Sequence, residues 1–104
     1  MQMCPLGDIM FYEITIAEIR SLIWKRFPNA VSRENLEPGG EVENLLFMAD
    51  VIEALDTSSI RNATKAARWI GWMTRECEIL GFWNNDRTRE LVRGDVFAKN
   101  DLPR

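Results

Sequence analysis

Between Ser59 and Trp83 the chain reads SIRNATKAARWIGWMTRECEILGFW, and its apolar residues return at alternating steps of three and four. Ala63, Ala66, Ile70, Met73, Cys77 and Leu80 form one seam of a helix at that period. Trp69, Trp72, Ile79 and Trp83 fall on a second seam of similar spacing, interrupted by Glu76. The remaining side carries Arg61, Lys65, Arg68 and Arg75, a basic ridge open to solvent, acidic side chains or a ligand. A helix apolar on two sides calls for two neighbours. The pattern therefore predicts a helix over 59–80 at the centre of the fold.

The same spacing in Tyr12, Ile16, Ile19, Ile23 and Phe27 predicts a first helix over 16–27. Thr15 and Glu18 offer it a capping box, and Pro28 with Asn29 stops it. Leu45, Met48, Ala49, Ile52 and Leu55 predict a second helix over 41–55. Glu41 and Glu43 sit favourably in its first turn, while Asp50, Glu53 and Asp56 give it an acidic outer side. The short DTSS link forces a hairpin into the third helix, with Ser58 or Ser59 as N-cap. Gly81 is the expected left-handed stop, after which WNND caps a fourth helix over 86–93 that Gly94 ends or interrupts. Residues 1–10 read as a loose leader, 28–40 as a long loop that Val31 and Leu36 could pin, and 95–104 as a tail that Val96 and Phe97 could dock, with fraying beyond them. The fold class is all-α, a small antiparallel bundle of about four helices in a single domain.

Composition fits this picture and narrows the class. A chain of 104 residues, 46% hydrophobic and 28% charged, is long enough for one core without staples. No apolar run approaches the roughly 18 residues of a membrane span, and the start lacks the features of a secretory signal. A cytoplasmic protein without membrane contact is expected. Cys4 and Cys77 are the only thiols, which argues against a disulfide and makes Cys77 a small buried hydrophobe. The net charge of −3 divides unevenly. Residues 1–56 hold four Lys/Arg against ten Asp/Glu, and residues 57–104 hold nine against six. Either the halves neutralise each other, the acidic flank of helix two meeting the basic ridge of helix three, or one half faces an outside partner.

Candidate chemistry is sparse. Without a histidine the chain lacks the commonest general base and metal ligand, and no phosphate-binding glycine motif is present. No catalytic residue, cofactor or metal is expected. Glu76, among the tryptophans, is either a desolvated acid of raised pKa or one paired with Arg87 or Arg89. Gly71 costs a helix about 1 kcal/mol relative to alanine. It admits close approach either by another helix of the same chain or by a second copy of helix three.

The run from Lys65 to Glu90, KAARWIGWMT followed by LGFW and DRTRE, resembles a group of small, uncharacterised helical proteins encoded by phages and other mobile elements. They share an R-W-[IL]-G-[FW] helix, a glycine about ten residues on, and a short final helix. Thr74 stands where relatives often carry Gln. The resemblance covers about half the chain and implies a short helical bundle and a life on a mobile element, without an activity.

Four tryptophans in 104 residues bear most directly on function, because Trp and Arg are over-represented at interface hot spots. Trp24, Trp69, Trp72 and Trp83 either line the core with their indole N–H groups at its edge or lie outside under a partner. The preferred expectation is a non-enzymatic interaction module, a homodimer or a binder of a host or phage protein. It would act through Trp69, Trp72, Glu76 and Trp83 with Arg61, Lys65, Arg68 and Arg75. A nucleic-acid-binding accessory protein using the basic ridge ranks second, because the sequence pI near 5.0 opposes it. A small-ligand-binding helical protein ranks third.

Overall fold

The computed structural model describes residues 10–100, with side chains through residue 97. Its elements are α1 (Glu13–Arg26), α2 (Glu41–Glu53), α3 (Ile60–Ile79) and α4 (Asn85–Asn100). Among the described residues there is no strand, so the all-α bundle expected from the periodicity is what the chain forms. The expected leader, apart from Met10, and residues 101–104 lie outside the described residues.

The order of packing is α4, α1, α2, α3: α1 lies against both α2 and α4, and α3 packs mainly on α2. The inner pair is therefore α1 and α2, and α3, expected at the centre, stands at one end of the order. Ile16, Ile19 and Ile23 of α1 are fully buried against Leu45, Ala49 and Ile52 of α2. The α2 helix also buries Leu46 and Asn44, because neighbours on two sides leave it a wider apolar arc than α3 has. Ala66, Ile70, Met73 and Cys77 close the core from α3, as their seam predicts. Phe27, expected on the buried side of α1, is exposed because the helix has already ended at Arg26.

The local signals for helix ends mostly operate. Ser59 caps α3, its Oγ accepting from the Asn62 amide at 3.2 Å. Gly81 takes a left-handed φ of 81°. The Phe82 amide donates to the Cys77 carbonyl and the Gly81 amide to that of Glu78, at 2.9 and 3.1 Å, which is a complete Schellman motif. Asn84 caps α4 by accepting from the Arg87 amide.

The start of α1 departs from expectation. The Thr15–Glu18 capping box does not form. The helix begins at Glu13, behind Tyr12 at a left-handed φ of 54°. The cap comes instead from α4: the Asp95 carboxylate accepts from the amides of Ile14 and Thr15 at 2.7 and 2.9 Å and from the Thr15 hydroxyl at 2.5 Å. Asp95 is only 7% exposed, and an anion at a helix N-terminus is stabilised by the macrodipole and the free N–H groups. Burial, and then the nearby Asp95 charge, push the Tyr12 hydroxyl above its usual pKa. Helix α4 also passes straight through Gly94, where a Cβ would make only ordinary contact with Ile14, so the helix does not end there but continues to Asn100, past the Val96–Phe97 pair beyond which fraying is expected.

Charge pairing ties α1 to α2. Arg20 forks onto Glu53 at 2.8 and 3.2 Å and reaches Asp50 at 2.6 Å, a geometry that favours the ionised pair. The hydrogen bond from Arg20 holds the Glu53 carboxyl below its usual pKa. The long loop is fixed by polar contacts. Val31 and Leu36 stay exposed, whereas Arg33 pairs with Glu43 at 2.7 Å and the Asn35 amide donates to Asn44 Oδ1 at 3.0 Å. The buried Asn44 thus gains a partner from the loop. Gly40, the N-cap of α2, lies directly under the Asn35 carboxamide, with which an added Cβ would overlap. Gly40→Ala should turn the Asn35 carboxamide away from Glu43 and from the Glu37 amide, which donates to its Oδ1, at a cost of about 1 kcal/mol, read as a lowered urea midpoint together with lost exchange protection of the Glu37 amide.

Candidate functional site

Helix α3 divides into a buried side and an outer side. The supposed second apolar seam does not behave as a unit. Trp69 is half-buried and packs on the core, with the Lys65 ammonium 4.8 Å from its ring centroid. Trp72 is 47% and Ile79 65% exposed. Trp83, beyond the left-handed Gly81, leaves the helix path and joins α4 instead. Its indole N–H donates to Thr88 Oγ1 at 2.9 Å, and the Thr88 hydroxyl donates to Glu78 at 2.8 Å. Of the eight residues read as an interaction set, Trp83 is thus a structural contact of the α3–α4 corner.

The basic ridge does not meet the acidic flank of α2. Asp50 and Glu53 are taken by Arg20, and Glu43 by Arg33. Among the described residues Arg61 and Arg68 make no ion pair, and Arg75 reaches only Glu78, at 3.8 Å. Arg61, Arg68 and Arg75 are seven apart and so lie along one line of the helix. Glu76 forms no ion pair among the described residues either. Arg87 bonds Glu18 and Glu90, and Arg89 stands near Asp86, so neither serves Glu76 as the alternative reading required. Gly71 is exposed, and a Cβ there would meet nothing within 4 Å. No helix of the same chain approaches it.

Beside this face the loop and α2 form a groove. Glu34, Leu36, Asn44, Phe47 and Met48 meet Arg68, Trp69 and Trp72 around a hollow of about 580 Å³. A second hollow of about 320 Å³ continues past Trp72 to Glu37, Pro38, Glu41 and Glu76. Leu36, Asn44 and Trp72 line both, and Leu36 stands 81% exposed beside the groove. The groove is charged unevenly along its length. At the Arg68 end a base accompanies Glu34, whereas the Glu76 end holds acids alone. Sequence periodicity missed Leu36, Glu34 and Phe47 because two of them sit in an irregular loop and the third faces sideways from α2. The lone apolar Leu36 between the polar Asn35 and Glu37 was the available signal.

Among the described residues no group of three or more Cys, Asp or Glu side chains could hold a metal ion. The Cys77 thiol is fully buried, and desolvation, with Glu76 and Glu78 adding to it, pushes its pKa up to about 12. A thiol so protonated is a poor nucleophile. None of the helices, among the described residues, is long and apolar enough to cross a membrane. Comparison of the chain with protein-family models, curated proteins and solved structures finds no match.

Proposed function

We propose that this chain is a protein-binding module whose working face is the outer side of α3, together with the groove it shares with the 28–40 loop, and that it acts without catalysis. The observation carrying this reading is that, among the described residues, Arg61 and Arg68 have no acidic partner, while Arg68 stands one turn from the half-exposed Trp72 on the helix that also exposes Ile79. The internal acids that could have neutralised them are committed to Arg20 and Arg33. Arginine next to exposed tryptophan is the composition of an interface hot spot, not of an ordinary solvated helix side. Nucleic acid fits less well, because a phosphate backbone lying on the arginines would also pass Glu34, Glu37 and Glu76. The partner is a protein: the likeness to proteins of mobile elements favours a host or phage protein, and self-association through the same face is the other form this reading takes.

The test is capture from a nuclease-treated bacterial lysate, using the wild-type chain and Trp72→Ala as parallel baits of matched circular dichroism. A stoichiometric protein held by the wild type and weakened about 30-fold in the variant is expected, corresponding to roughly 2 kcal/mol for a hot-spot tryptophan. Capture that vanishes with nuclease, or equal capture by both baits, would discard this reading.

A further inference from the structure

We infer that a second copy of this chain occupies the α3 face, with the two α3 helices antiparallel across a two-fold axis at Trp72. This rests on the reading of that face as a binding surface and names its occupant. Arg68 lies four residues before Trp72 and Glu76 four residues after it. They are about 12 Å apart along one helix, too far to pair within the chain, and neither forms an ion pair among the described residues.

In an antiparallel pair centred on Trp72, each residue faces the one equally distant on the other side, so Arg68 of each copy meets Glu76 of its partner. One two-fold contact thus supplies two ion pairs at once, as isologous interfaces do. The same operation places Trp72 against its own image. A helix from an unrelated protein would have to match this reversed charge order by chance, whereas a second copy carries it by symmetry.

Sedimentation equilibrium with charge reversal tests the pairing. The wild type should approach twice the 12.1 kDa chain mass. Arg68→Glu and Glu76→Arg alone, each placing like charges together twice, should weaken association at least tenfold. The chain carrying both reversals should recover it, and the recovery should shrink with salt. A wild type that stays at one chain mass at millimolar concentration, single variants that still associate normally, or a double variant that does not recover would each overturn the inference. Monomeric wild type that still captures a nuclease-resistant protein would discard the two-fold pair and leave the binding-module reading standing.

Discussion

Asp95→Ala should lower folding stability by about 2–4 kcal/mol and loosen α4 from the start of α1. The side chain is 7% exposed and satisfies three donors at once: the amides of Ile14 and Thr15 and the Thr15 hydroxyl. Removing the carboxylate leaves those donors buried, and each unsatisfied buried group costs roughly 1–3 kcal/mol, partly recovered where water enters. The loss of an anion at the helix N-terminus adds to this. Tyr12 sharpens the prediction. It is held at a left-handed φ of 54°, which costs a non-glycine residue roughly 1–2 kcal/mol, and the Asp95 cap is the contact next to it that offsets this. Once the cap is gone, the first turn can relax and fray. Urea denaturation gives the magnitude, and hydrogen exchange should show protection lost first at the amides of residues 14 and 15. Thr15→Val, which removes one of the three bonds, is expected to cost about 1 kcal/mol. If Asp95→Ala matched that smaller cost, the carboxylate would not be the cap it is taken to be.

That interaction also marks the limit of what the sequence could disclose. Helix ends fixed by neighbours a few residues away were legible: Ser59, Gly81 and Asn84 each act within one turn of where they sit. The start of α1 was not, because its cap stands 80 residues later in the chain, and Thr15 spends its hydroxyl on Asp95 rather than on its own helix. The same distance defeated the charge argument. Summing the halves of the chain pairs α2 with α3, whereas the fold hands the acids of α2 to Arg20, which comes 30 and 33 residues before them. The tryptophan seam failed for a geometric reason. Helical spacing was carried across Gly81, where the left-handed backbone turns the chain, so Trp83 could not stay on the line of Trp69 and Trp72. Trp69, Trp72, Glu76 and Arg68 do share α3, one uninterrupted helix in which periodicity is a sound guide to which residues lie near one another.

Cys77 carries the other large effect, on the alkaline side. Its thiol is fully buried with a pKa of about 12, against 9.0 for an unperturbed thiol. The folded-state value is the higher one. Its contribution is therefore complete below pH 9, where the thiol is protonated in both states, and declines above it as the unfolded chain ionises while the folded chain cannot. The decline continues until about pH 12, where the folded thiol also loses its proton. At roughly 1.4 kcal/mol per pH unit this amounts to about 4 kcal/mol over that span, comparable with a large share of a small domain's stability. Tyr12, also raised by burial, adds a smaller loss of the same sign above pH 10. Urea midpoints measured from pH 8 to pH 11 should fall steeply in the wild type. Cys77→Ala should begin about 1–2 kcal/mol less stable because of the cavity it leaves, yet lose much less between pH 9 and pH 11, so that the two curves converge. Parallel curves would mean that the thiol ionises without unfolding the chain, and that the packing of Met73 and Ile70 around it yields to water more readily than their burial indicates.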